Sequence, residues 1–189
     1  MITNTFHQKV QKLTDLCILR REATLLNEVF VKVKCEKAMQ ALSQASGIDD
    51  AELLARMLDA GFDPATFPAL DLVPFAFVAW ASGSVTAEER EFASAAAKVP
   101  GEPEHSEVSE RFESWLRSPP PAKLFALWQD YAAFRNRERT QAEREAAGEH
   151  ALELATKIAG ASGGILGFGR ICEAEQVVLD AIKNVFEIG

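Results

Sequence analysis

Apolar residues recur at three- and four-residue steps along nearly the whole chain, and strand-type alternation is almost absent; the pattern predicts an all-α protein. In the first third, Leu13, Leu16 and Cys17, then Leu26, Val29, Phe30 and Val33 keep this spacing. The β-branched run Val29-Phe-Val-Lys-Val33 competes, but its flanks read as helix. Ser46-Gly-Ile-Asp49 ends one helix at Gly47 and caps the next with Asp49, which carries Leu53, Leu54, Met57 and Leu58 and stops at Gly61. The turn-rich segment Phe62-Asp-Pro-Ala-Thr-Phe-Pro68 is the candidate boundary. It separates an N-terminal helical hairpin extension, residues 1–63, from a helical domain, residues 64–189.

Leu70 to Ala81 reads as a helix that is apolar on every side, with Pro74 in its first turn, and is therefore expected to be central and buried. After Gly83, Thr86 and Glu89 form the S/T-x-x-E signature of a capping box, opening a helix that runs to about Lys98 and breaks at Pro100-Gly-Glu-Pro103. Phe112, Trp115 and Leu116 mark another helix, stopped by Ser118-Pro-Pro-Pro121. Leu124, Leu127, Trp128, Tyr131 and Phe134 form an aromatic stripe, for which core packing is the commoner use. Arg135 to Glu149 is almost wholly charged or small and reads as a solvated stretch of helix or a kinked linker. Leu152, Ala155, Ile158 and Ala159 restore an apolar face. A loop with five glycines follows, Gly160 to Gly169, and a last helix begins at Cys172 and buries Val178, Ala181, Ile182 and Val185.

The pattern partly repeats. Gly83-Ser-Val-Thr-Ala-Glu-Glu89 and Gly169-Arg-Ile-Cys-Glu-Ala-Glu175 share Gly-x-(Val/Ile)-x-x-x-Glu at an offset of 86 residues. Each follows an apolar stretch and opens an amphipathic one, which points to a pseudo-repeat of helix-turn-helix units.

Charge narrows the partners. The net charge is -8, with 8 basic and 9 acidic side chains in residues 1–68 against 12 and 19 in 69–189. So acidic a domain repels phosphate backbones, which argues against nucleic acid. The longest uncharged stretch, Leu72 to Ala87, has 16 residues including Pro74 and Gly83 and is too short to span a bilayer comfortably. The first residues show no basic segment followed by an apolar run, and three scattered cysteines suggest neither a zinc knuckle nor a disulfide framework. A cytoplasmic protein is expected.

Val73-Pro-Phe-Ala-Phe-Val-Ala-Trp-Ala-Ser-Gly-Ser-Val-Thr-Ala-Glu-Glu-Arg90 resembles the signature of TerB-like proteins, an all-helical group named for a tellurite-resistance component. The Trp115-Leu116 and Trp128–Tyr131 helices and Gly163-Gly-Ile-Leu-Gly-Phe-Gly-Arg-Ile-Cys-Glu-Ala-Glu175 extend the likeness over residues 69–189, toward an uncharacterised bacterial branch. The resemblance implies an acidic helical bundle associated with stress responses, metal-ion binding and membrane-linked complexes. Its acidic turn position falls at Ser82 and its following glutamate at Glu89. Serine lacks the hard anionic oxygen that calcium or magnesium prefers, and Phe168 holds the matching place in the second turn.

Glu89 and Glu175, with neighbouring Glu88 and Glu173, are the candidate ligands for a divalent metal such as calcium, because helices presenting glutamates inward are how bundles build metal sites. The same spacing serves capping: each of Glu89 and Glu175 stands three residues after a cap, Thr86 or Cys172, whose amide it reaches. The glycine loop lacks a preceding strand and a Lys-Ser/Thr pair, so it meets neither phosphate-binding fingerprint. No H-E-x-x-H or G-x-S-x-G is present, and His7, His105 and His150 are scattered. The leading expectation is a non-catalytic module that binds a protein partner or itself, with Leu53, Leu54, Met57 and Leu58 offering more apolar surface than a lone hairpin buries. The alternatives are a divalent-metal-binding stress protein and a small-molecule or lipid site between aromatic helices around Trp80, Trp128 and Tyr131.

Overall fold

A computed structural model describes residues 2–98, 106–161 and 171–187, with side chains from residue 20 onward except those of 23 and 187. Among the described residues the protein is all-α. Helix α1 spans Ile2–Ser46, α2 Ala51–Asp59, α3 Val73–Trp80, α4 Ala87–Ala96, α5 Glu107–Arg117, α6 Lys123–Glu138, α7 Gln141–Ala161 and α8 Glu173–Glu187; a 3₁₀ helix, Phe67–Leu72, leads into α3. The Val29–Val33 run is helical, since β propensity yields to the helix on either side of it. The chain divides into two compact units, Met1–Ala41 and Leu42–Gly189.

The smaller unit is one segment of α1. The larger begins on the last turn of α1, where Leu42 is fully buried, and passes through Gly47 at φ 74°, a left-handed conformation that suits glycine. Asp50, rather than Asp49, caps α2: its Oδ1 accepts from the amides of Glu52 and Leu53, each at 3.0 Å. Helix α2, which the sequence pattern grouped with the N-terminal extension, lies in the larger unit and packs on α6 with Leu53, Leu54 and Met57 buried. Those residues therefore offer no free surface.

Helix α3 is the axis of the larger unit. Val73, Pro74, Phe75, Ala76, Val78 and Ala79 are buried on all its sides, and it touches α4, α5, α6, α7 and α8. Pro74 sits in the first turn, where its missing N–H breaks no helical bond. The Trp80 Nε1 donates to the Trp115 carbonyl at 2.7 Å, tying α3 to α5. Leu124, Leu127, Trp128, Tyr131 and Phe134 are buried along α6, as their spacing predicts.

Of the two readings of the charged stretch after Phe134, the kinked one holds: it is helical on both sides of a break at Arg139 and Thr140. Arg139 is extended, and Thr140 opens α7 with a capping box: Glu143 Oε2 accepts from the Thr140 amide and hydroxyl, each at 2.8 Å, and the Glu143 amide donates to Thr140 Oγ1 at 3.3 Å. Helices α7 and α8 then pack along each other, with Ala155, Ile158, Leu179, Ile182 and Val185 buried. The glycine loop from 162 and the Pro100–Pro103 breaker lie outside the described residues, as do Phe168, Gly169 and His105.

Candidate functional site

The two acidic turns resolve into helix starts. At α4 the Glu89 Oε2 accepts from the Thr86 amide at 2.7 Å while the Glu89 amide donates to Thr86 Oγ1 at 3.2 Å. At α8 the Glu175 Oε2 accepts from the Cys172 amide at 2.7 Å, and the Glu175 amide donates to Cys172 Sγ at 3.4 Å. Both satisfy otherwise orphaned amides and place a negative charge at the positive end of a helix. Glu175 is only 2% exposed, whereas Glu88 and Glu173 are exposed to solvent. Ser82 closes the Gly83 turn, its hydroxyl donating to the Ser84 carbonyl at 3.1 Å. Among the described residues, no group of three or more His, Cys, Asp or Glu side chains is arranged to hold a metal ion. Glu88, Glu89, Glu173 and Glu175 are thus not brought together as such a group.

The two capping glutamates are not energetically alike. Glu175→Ala empties a buried position and takes away the partner of the part-buried Cys172 amide, so it is expected to lower unfolding free energy by about 1–3 kcal/mol. Glu89→Ala exposes its amide to water and is expected to lose less than about 1 kcal/mol. Urea unfolding of both variants checks the order. Thermal melts with added calcium, magnesium, manganese or zinc test the metal alternative, for which a saturable stabilisation lost in the double variant is the signature.

A second feature was half legible in the sequence, which offered Trp128 and Tyr131 as a small-molecule site but not the charged groups beside them. A cleft of about 480 Å³ opens in the larger unit between the 3₁₀ segment, α3, α6, α7 and α8. Its apolar wall includes Phe75, Trp128, Leu154 and Phe186, and its polar groups include Asp71, Tyr131, Arg135, Arg139 and His150. Trp128 and Tyr131, two of the residues named for the small-molecule alternative, line this cleft, and Trp80 is not part of its wall. Trp128, Tyr131, Arg135 and Arg139 follow one another at three- and four-residue steps, a spacing that could have shown the polar end of the stripe.

The cleft's electrostatics follow from its walls. Asp71 faces the opening and is exposed to solvent there, yet protein surrounds its carboxyl closely enough that desolvation pushes its pKa up, against the charges of Arg135 and Arg139 and the Tyr131 hydroxyl. Burial, with the Asp71 charge behind it, likewise pushes the Tyr131 phenol far up, so it stays a protonated donor. Arg139 is held in place: its Nη1 donates to Asn136 Oδ1 at 3.1 Å, and the buried Asn136 donates through Nδ2 to the Val185 carbonyl at 3.0 Å.

The third feature is on α1. Leu25, Leu26, Val29, Phe30 and Val33 are between 42% and 70% exposed. At 3.6 residues per turn they fall on one face, within an arc of about 140°; Val31, also exposed, lies off it. No helix among the described residues is long and apolar enough to cross a membrane. Compared with protein-family models, curated proteins and solved structures, the chain matches none.

Proposed function

We propose that this chain is a non-catalytic helical protein that assembles with itself through the apolar face of α1. The observation that carries the reading is the exposed stripe Leu25, Leu26, Val29, Phe30 and Val33. Among the described residues the smaller unit is a single helical segment with no second element to cover that stripe. Helices in water draw most of their stability from packing an apolar face, so a stripe of this kind calls for a partner.

A second copy fits by both spacing and charge. Leu26, Val29 or Phe30, and Val33 keep the three-four rhythm of a coiled-coil seam, which is complementary to itself across a two-fold axis. An antiparallel register that sets Leu26 against Phe30 also sets Glu22 against Lys34 and Arg20 against Glu36. Each stripe residue keeps roughly half its surface, so covering it contributes about 1 kcal/mol. The stripes of two copies together contribute about 10 kcal/mol, against an association cost of about 4–15 kcal/mol. At the low end of that cost the balance is about 6 kcal/mol, which describes a reversible dimer with a Kd of tens of micromolar. The resemblance of residues 69–189 to TerB-like proteins adds, as part of the same proposal, a place in a bacterial stress response.

Leu26→Glu/Phe30→Glu tests the reading. Both positions are exposed, so the larger unit should melt as the wild type does, while the mass measured by light scattering at several hundred micromolar falls to that of one chain. A dimer that persists in the double variant would move the interface elsewhere.

A further inference from the structure

The cleft is independent of the α1 stripe and carries an inference of its own. We infer that it binds a small anionic amphiphile, a carboxylate or phosphate headgroup on an apolar body, with Arg135 and Arg139 holding the head and Phe75, Trp128, Leu154 and Phe186 holding the body.

Its size is that of a pocket for a small molecule: about 480 Å³, within the roughly 300–1,000 Å³ common to ligand sites. The wall is mostly apolar, and Asp71, Tyr131, Arg135 and Arg139 act on one another at the C-terminal part of α6, so a ligand with one charged end and one greasy end fits it. The sign of that charge follows from the inventory. Arg135, Arg139 and Lys98 line the cleft against one carboxylate, Asp71, so its cations outnumber its anions even though Asp71 already lies in the field of both guanidiniums. The Arg139 fork is positioned in advance by Asn136, which is itself anchored to α8, so little side-chain entropy remains to be lost when an anion arrives. Tyr131 gives its one O–H to Asp71, and the remaining lone pairs of that carboxylate accept a hydroxyl or amino proton from the ligand beside its head.

This division of labour separates two classes of variant. Arg135→Gln/Arg139→Gln removes the anchoring charges from partly exposed positions. Asp71→Asn removes the one carboxylate that opposes an anion. The first should weaken binding and the second strengthen it, and a variant that merely failed to fold could not bind more tightly.

The test is calorimetric titration of the full chain with octanoate, octyl phosphate, octyl glucoside and inorganic phosphate. Octanoate and octyl phosphate are expected to saturate one site per chain. Octyl glucoside, with the same tail and no charge, should bind at least tenfold more weakly, and inorganic phosphate should give no saturable heat at millimolar concentration. Arg135→Gln/Arg139→Gln should cost both anions tenfold or more and leave octyl glucoside unchanged, Asp71→Asn should tighten both anions several-fold, and Arg137→Gln on the same helix should change nothing. Sedimentation with vesicles of phosphatidylglycerol and phosphatidylcholine separates a free amphiphile from a bilayer surface; the cleft takes a single molecule, so co-sedimentation without binding of monomeric octyl phosphate would overturn the inference. Equal affinity for charged and neutral heads, anion binding that survives the double glutamine variant, or no saturable heat with either anionic amphiphile would overturn it as well.

Discussion

Replacing Arg111 with alanine is expected to destabilise the protein by about 2–4 kcal/mol, counting two hydrogen bonds from a cation and its stacking on two rings. From α5 its Nη1 donates to the Gly61 carbonyl and its Nη2 to the Ala60 carbonyl, each at 2.7 Å. These are carbonyls at the C-terminal end of α2, where the helix leaves acceptors unpaired and the dipole favours a cation. The guanidinium also lies 4.2 Å from the centre of the Phe62 ring and 5.8 Å from that of Trp115, whose rings pack edge to face. One side chain thus joins the end of α2, the turn after it and α5. Desolvation lowers the Arg111 pKa, and the Asp63 charge opposes the shift. Arg111→Lys keeps the charge but lacks the fork and is expected to recover less than half of the loss. Urea unfolding measures both variants; a loss under about 0.5 kcal/mol for alanine would contradict this account of the corner.

Gly148→Ala is the second large effect, and its sign is the informative part. On an open helix face the change would stabilise by about 0.5–1 kcal/mol, because glycine is the poorer helix former. Gly148 is buried where α7 meets α8, and a Cβ there would stand 2.8 Å from the Cβ of Phe186. That atom belongs to the stiff root of the side chain, so the helices must separate, and overpacking of this kind costs about 1–3 kcal/mol. A net destabilisation of about 1–2 kcal/mol is expected in chemical unfolding. Phe186 also lines the cleft, so the same variant should weaken any ligand held there. A more stable Gly148→Ala protein would contradict the close approach.

Where one residue type at one spacing decided the outcome, the fold was readable. The Thr86–Glu89 capping box, the apolar helix around Phe75 and the aromatic stripe of α6 are local patterns, and each appears as its spacing predicts. The Arg139–Thr140 break was obscured because the charged residues on both sides of it fit a single solvated helix; the Thr140-x-x-Glu143 box was its only local sign. Two competing uses of Glu89 and Glu175 were visible, and geometry shows both carboxylates reaching back to cap amides. The apolar surface expected on α2 lies instead on α1, because whether Leu53 or Leu26 finds a neighbour depends on tertiary packing that periodicity does not carry. Of the cleft, Trp128 and Tyr131 were offered by the sequence, but its charged end was hidden for the same reason: Asp71 and Arg139 are 68 residues apart and meet only once α6 packs beside α3.

Sedimentation equilibrium of the full chain, from about 5 to 500 μM, tests self-assembly through α1 most directly. Self-assembly through α1 gives a weight-average mass that starts near the 20.7 kDa of one chain and climbs reversibly toward twice that value, and that stays at one chain throughout in Leu26→Glu/Phe30→Glu. A wild-type mass of one chain across the whole range would contradict it.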